Sequence, residues 1–191
     1  MNGGRPRLIV GISGASAPQL GQATLRALRE LETVETHLVV SRGARETIAQ
    51  ELDAGLDALY DLADVVHEPQ DLAAPISSGS FVTLGMAVVP CSMGRLAAIA
   101  NGSSDDLLAR AADVCLKERR RLVLVTREAP LNLIHLRNME TATLAGATIL
   151  PPVLAFYHRP ASVEDLVDQV VGRLLDQFGI EHRLFRRWGE G

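Results

Sequence analysis

Short runs rich in Val, Ile and Leu recur along the chain, and each is followed by a stretch whose apolar residues fall three and four apart. Leu8 to Gly11, His37 to Ser41, Met86 to Cys91 and Leu122 to Thr126 are short and rich in Val, Ile and Leu. They read as parallel strands buried on both faces. Helical periodicity follows over about 18–32, 42–53, 104–119 and 132–146. A last helix is the most clearly marked. Ser162 caps it, Asp165 stands at the capping-box position, Leu166, Val167, Val170, Val171, Leu174, Leu175 and Phe178 form one stripe, and Gly179 ends it. Such alternation predicts a single α/β domain: a doubly wound parallel sheet flanked by helices, with ligands at the carboxyl ends of its strands. No repeat or linker divides residues 1–191. The last dozen, 180–191, rich in Arg with Trp188, read as a tail that packs onto something.

Composition narrows this picture. At 191 residues, 47% apolar and 22% charged, the chain has the size and balance of one α/β domain. A net charge of −4 gives no electrostatic reason to expect nucleic acid as a partner. No apolar run is long enough to cross a membrane, and the opening MNGGRPR is followed by too short an apolar run to be a signal-peptide core. Two cysteines, Cys91 and Cys115, form neither a disulfide framework nor a metal motif. The expected setting is cytoplasmic.

Candidate chemistry begins with GISGASAP, Gly11 to Pro18, where the first strand turns into a helix. Its amides and the Ser13 and Ser16 hydroxyls can face an anion, although the spacing is not the dinucleotide fingerprint. Pro18 suits the first helical position and biases Ala17 towards extended geometry. SSGSF (Ser77 to Phe81) and PCSM (Pro90 to Met93) are two more small-residue loops, expected at the same sheet edge. Cys91 has no His or Asp at a catalytic spacing and reads as a buried structural thiol. Arg110 and Lys117 are two helical turns apart and share a face. Arg119, Arg120 and Arg121 read as a solvated helix C-terminus, whereas Arg127-Glu128 falls just past a buried strand, at the predicted ligand edge. Asp105-Asp106 lacks the third carboxylate of a magnesium-binding DDxxD, since Ala109 stands there. The histidines, His37, His67, His135, His158 and His182, have no ligand spacing, so no metal site is expected.

Taken together, GISGAS, SSGSF, MAVVPCSM, SSDDLLARAADVCLKERRRLVLVTREAPL, HLRNM, GATILPPVLAFYHRP, SVEDLVDQVVGRLLD and RRWGE resemble the UbiX/Pad family of flavin prenyltransferases, from Gly11 to Glu190. The resemblance implies a Rossmann-like, flavodoxin-like flavoprotein. It would move a dimethylallyl group from dimethylallyl monophosphate to N5 and C6 of reduced FMN, without metal, making prenylated FMN for a UbiD-type decarboxylase. It places Gly14, Ala15, Ser16, Ser41, Ser78, Ser92, Met93, Arg110 and Arg127 at FMN. Lys117, Arg127, Tyr157 and Arg173 fall where the family holds the prenyl phosphate. Glu51 and Glu128 match its acid/base carboxylates, and Ser16 and Lys117 stand with them as catalytic candidates. It further implies a homo-oligomer, trimers stacked into dodecamers, with each site at a subunit boundary and the tail at an interface.

The residue chemistry agrees. Three cations and a phenol can stabilise a departing phosphate without a metal, and a glutamate beside them can manage the proton leaving C6. Arg173 alone would read as a helix residue snorkelling from an apolar stripe. Ala17-Pro18 departs from the family's Gly-Ala. Two alternatives stand beside this reading: an FMN carrier serving a decarboxylase, and a peptidyl-cysteine decarboxylase-like flavoenzyme. The second lacks its histidine between Gly79 and Ala100 and has PLNLIHLRNM where that group has PxMNxxM.

Overall fold

A computed structural model describes residues 4–189, so Glu190 of the terminal RRWGE block lies outside the described residues. Strands β1 (Arg7–Ile12), β2 (Glu35–Val40), β3 (Val65–His67), β4 (Gly85–Cys91), β5 (Arg121–Thr126) and β6 (Thr148–Ile149) form one sheet in the order β3-β2-β1-β4-β5-β6. Every neighbouring pair is parallel. The four strands expected from their apolar runs are all present. β3 and β6 were not legible, being three and two residues long, at the sheet's two edges, and less buried than the rest.

Because β1 alternates its side chains between two faces, it feeds two cores. Leu8, Val10 and Ile12 pack with α1 (Pro18–Leu31), α2 (Arg42–Glu51) and α7 (Val163–Gln177). Ile9, with Met86 and Val88 of β4, packs under α4 (Met93–Ala100), α5 (Leu107–Lys117) and α6 (Leu133–Leu144). A side chain such as Leu25 or Leu108, fully buried here, contributes about 1.5–3 kcal/mol by leaving water. Two helices were missed: α3 (Gly55–Tyr60) and α4, which starts directly from the PCSM stretch read as a loop. The α7 capping box forms as expected, with Ser162 accepting from the Asp165 amide at 3.1 Å and Asp165 accepting from the Ser162 amide at 3.1 Å.

The chain runs outward through β1, β2 and β3, then crosses back to place β4 on the other side of β1. That reversal opens a crevice at the carboxyl ends of β1 and β4, the position where doubly wound sheets take ligands.

On the other side of β1, His37 Nδ1 and His67 Nε2 lie 2.9 Å apart with their rings stacked, and His37 Nε2 meets Glu35 Oε1 at 2.8 Å. Burial, helped by neighbouring His37, pushes the His67 pKa below 6.5, against a weaker upward pull from Asp71. The folded state therefore prefers neutral His67, and the unfolded chain takes up a proton first as pH falls. This contribution to stability is fully present above about pH 6.5 and is lost as pH falls through the lowered folded value. His67→Gln keeps polar atoms but cannot titrate. Urea midpoints at about pH 7.5 and about pH 5.5, either side of the ordinary imidazole value, are expected to differ less for the variant than for the wild type. Equal losses in both proteins would refute this role.

Candidate active site

Three helices begin at the carboxyl edge of β1, β2 and β4, and their first turns face one another. Ser41 caps α2 by accepting from the Ala44 amide at 3.2 Å, and Ser92 caps α4 by accepting from the Arg95 amide at 3.2 Å. Each hydroxyl still has its own proton to donate. The Ser13 hydroxyl is different, because it donates to Pro90 O at 3.0 Å and accepts from the Ser92 amide at 2.8 Å. Ser13 is a buried stitch between the first and third loops, and not the anion-facing group expected from sequence. At Gly14 the first two loops touch: a Cβ there would lie 2.8 Å from the Gly43 carbonyl carbon. The cleft they enclose is about 310 Å³, lined by Gly14, Ser41, Arg42, Ser92 and Arg95 among others. Helix N-termini, free hydroxyl protons and arginines suit a phosphate ester.

α1 starts in an unusual way. Pro18 is its first residue, as expected, but Ala17 is left-handed (φ 70, ψ 47) and not extended. This conformation costs a non-glycine residue about 1–2 kcal/mol, and a following proline disfavours it further. The offset comes from Glu51 at the end of α2. One of its oxygens, Oε2, accepts from the Ala17 amide at 2.9 Å and from Ser16 Oγ at 3.0 Å. Hydrogen bonds to a charged group are worth about 1.5–3 kcal/mol each, so the carboxylate wins. Two of the expected catalytic residues, Ser16 and Glu51, are thus in direct contact.

Arg127 and Glu128 follow β5 at the same edge, next to the third loop through an Arg127 amide bond to Cys91 O of 3.1 Å. Both side chains are exposed, and Glu128 Oε1 accepts from the Ala129 amide at 3.0 Å. Arg127 has no ion pair among the described residues. Cys91 beside it is fully buried, which pushes its thiol up to about 12 and confirms an inert structural role.

The remaining expected residues lie elsewhere in the protomer. Ser77 to Phe81 was placed at the carboxyl edge from sequence, but it sits at the amino edge. Arg120 holds it there by donating to Gly79 O at 2.5 Å and Phe81 O at 2.7 Å, and Arg7, which opens β1, stacks 4.4 Å over the Phe81 ring. Arg120 is accordingly a clamp and not a solvated cation. Ser78 Oγ pairs with Ser80 Oγ at 2.9 Å in the same loop. Arg110 reaches Ser77 O at 3.2 Å and Asp113 at 2.6 Å. Lys117 ends α5 against Glu118 and lines an amino-edge groove of about 1050 Å³ with Arg119, Arg121, Leu144 and Thr148. Six residues of β5 separate that edge from Arg127, roughly 20 Å at about 3.3 Å per residue. Tyr157 and Arg173 occupy a third place. Arg173 donates to Asp176 at 2.8 Å, and Tyr157 meets the Trp188 ring edge-on at 5.5 Å.

The tail reaches back to α7. A Cβ at Gly172 would lie 2.5 Å from Phe185, and Asp176 accepts from Arg187 at 2.6 Å and His182 at 3.1 Å. Burial works to raise the Asp176 carboxyl, but its bonds from Arg187 and His182 outweigh this and hold it below the ordinary value. Trp188 stays 82% exposed, and Leu133, Ile134, Leu144, Val153, Phe156 and Val163 are exposed apolar residues as well.

Sequence reasoning missed Arg42, Gly43, Gly94 and Arg95, all of which line the carboxyl-edge cleft. Each stands within three residues of Ser41 or Ser92, so extending those loops into the first turn of the next helix would have found them. Among the described residues no cluster of His, Cys, Asp and Glu could hold a metal ion, and no helix is long and apolar enough to cross a membrane.

A family model described as Flavoprotein matches residues 2–175. The flavin prenyltransferase UbiX of Escherichia coli K12 is 55% identical over 184 residues, covering 95% of this chain and 97% of that protein. A crystal structure of AnUbiX (PadA1) in complex with FMN and dimethylallyl pyrophosphate is 56% identical with a TM-score of 0.95, covering 97% and 98% of the two chains. A dodecameric FMN-dependent UbiX-like decarboxylase from Escherichia coli O157:H7 is 54% identical with a TM-score of 0.93, covering 95% and 98%.

Proposed function

The chain belongs to the UbiX-type flavin prenyltransferases of the Flavoprotein family, and on that premise we propose how its residues divide the transfer of a dimethylallyl group from its phosphate ester to N5 and C6 of reduced FMN. The observation that carries the proposal is the carboxyl-edge cleft of serine-capped helix starts, with Arg127-Glu128 beside it. Relatives this similar along the whole chain leave no support for the carrier or peptidyl-cysteine decarboxylase readings.

Reduced FMN supplies the nucleophilic N5 and C6. In this proposal its phosphate lies against the Gly14–Ser16 loop, Ser41 and Ser92-Met93, with hydroxyl and amide donors directed at it. Glu51 fixes Ser16 and the start of α1 and is placed to exchange a proton with the flavin. Lys117, Arg127, Tyr157 and Arg173 would hold the prenyl phosphate, which leaves as its C–O bond breaks and the prenyl carbon bonds N5 with loss of the N5 proton. The prenyl alkene would then take up one proton so that its far carbon can bond C6, and Glu128 would take the proton that C6 releases. One protomer cannot assemble that set, since Lys117 is at the opposite sheet edge from Arg127. The site is therefore shared: neighbouring subunits bring Lys117, Ser78, Arg110, Tyr157 and Arg173 to the edge carrying Ser16 and Arg127. Exposed apolar side chains on α6 and on the 153–157 segment give such neighbours a surface to bury. The assembly is a dodecamer built from four trimers, the product goes to a UbiD-type decarboxylase, and the donor is the monophosphate.

Incubation with reduced FMN and dimethylallyl monophosphate, with and without excess EDTA, tests the chemistry. The flavin is expected to gain the mass of one prenyl group at the same rate in both. An unchanged flavin refutes the transfer, and a rate lost to EDTA but restored by magnesium refutes its metal independence.

The tail contributes an interface anchor in this reading. Phe185 and Arg187 cover their own α7, whereas Trp188 is left exposed, with Arg186 near it, to reach a neighbour. Trp188→Ala is expected to weaken assembly by about 2 kcal/mol or more, as for an aromatic anchor, and to lower prenylation while the monomer stays folded. Light scattering that shows wild-type assembly at low protein concentration would remove Trp188 from the interface.

A further inference from the structure

We infer that Arg95, held in place by Asp106, is a further residue of the flavin site and reads the phosphate that distinguishes FMN from riboflavin. This rests on the assignment of the carboxyl-edge cleft to the flavin.

Arg95 stands on the first turn of α4, three residues after the Ser92 cap, and its side chain lines the cleft. Its guanidinium is gripped from one side only. Nη1 donates to Asp106 Oδ1 at 2.8 Å and Nη2 to Asp106 Oδ2 at 2.5 Å, with Asp105 Oδ1 at 4.0 Å from Nη1. Both side chains of the pair are only 12% exposed. Asp106 is itself fixed, because Oδ1 also accepts from the Ala109 amide at 2.9 Å as the cap of α5. The fork is rigid as a result, with no freedom to lose on binding.

A guanidinium carries five N–H donors, and the grip on Asp106 takes two. Among the described residues the buried Nε–H has no partner, and one N–H on each Nη is left over. Buried ion pairs add little stability by themselves, so stability alone does not explain why this one borders the cleft. Its place does. Asp105 and Asp106 face the same cleft and would repel a phosphate dianion, which Arg95 prevents while offering donors of its own. Arg42, on the first turn of α2, lines the cleft too, but it is exposed and its charge is screened by water.

The test titrates the wild-type protein, Asp106→Asn and the double variant Arg95→Met/Asp106→Asn with FMN and with riboflavin, read by flavin fluorescence. The Asp106→Asn side chain retains an oxygen for the Ala109 amide, so α5 keeps its cap. The double variant removes one charge of each sign, so a role in charge balance alone leaves FMN affinity intact. A direct contact predicts an FMN affinity reduced roughly 10- to 100-fold, the range for a hydrogen bond to a charged group, with riboflavin affinity unchanged. Asp106→Asn alone keeps the cation and is expected to bind FMN at least as well as the wild type. A double variant with the wild-type FMN-to-riboflavin ratio, or with equal losses for both, overturns the inference. A wild-type protein that binds neither flavin overturns the cleft assignment beneath it, and this inference falls with it.

Discussion

Replacing Glu128 by glutamine is expected to lower prenylation turnover by ~100- to 10,000-fold, the contribution of a positioned acid or base, while FMN affinity stays unchanged. The variant isolates proton transfer because little else changes. Glutamine has the length of glutamate and can accept the same bond from the Ala129 amide that Glu128 Oε1 accepts at 3.0 Å. The exposed carboxylate of the protomer needs no buried partner, so folding should be indifferent to the change. An amide cannot take the proton that C6 gives up when the new ring closes. Single-turnover mixing of prereduced FMN, donor and variant separates this step from binding. Ring closure at the wild-type rate would reduce Glu128 to a neighbour of Arg127.

Lys117→Ala and Arg127→Ala are each expected to cost about 100- to 1,000-fold in turnover, the loss seen when one preorganised donor to a developing charge is removed. Mixing the two defective chains is the more telling experiment. If every site takes Lys117 from one chain and Arg127 from another, some sites in a mixed assembly have both residues intact. With equal amounts and random assembly, about a quarter of the sites do so, and activity should recover towards that fraction. Two cations serving one site from the same chain would show no recovery. The prediction follows from topology alone, since α5 delivers Lys117 to the amino edge and β5 delivers Arg127 to the carboxyl edge.

The carboxyl-edge loops were legible because a buried strand and a small-residue turn each leave a local signal; at GISGAS the helix start was legible too, whereas at PCSM the helix that begins there was not. SSGSF has the same composition but was assigned to the wrong edge. The chain reaches it only after β3, and a three-residue edge strand has too few apolar positions to be read. With β3 unseen, nothing indicated that residues 68–84 cross the sheet and end beside Arg120. The Arg120 clamp was hidden for a related reason. Its partners are backbone carbonyls at Gly79 and Phe81, and a carbonyl is present at every residue, so no sequence pattern marks it. Residue identities in the resemblance were legible throughout, yet they could not show which of them share a protomer's edge.

The left-handed Ala17 has a consequence for how this sequence can change. Glycine at position 17 tolerates that backbone freely and places no demand on residue 51. Alanine followed by proline tolerates it only while the Glu51 carboxylate holds the Ala17 amide and Ser16 hydroxyl. Positions 17 and 51 are therefore epistatic, and the order of substitution matters: alanine at 17 is accessible to a lineage that already carries the carboxylate. Once alanine is fixed, exchange at 51 removes the support of the loop together with the carboxylate proposed to carry a proton. A double-mutant cycle over Ala17→Gly and Glu51→Gln reads this dependence as a coupling energy in stability. Strict additivity there would mean that the two sites drift independently.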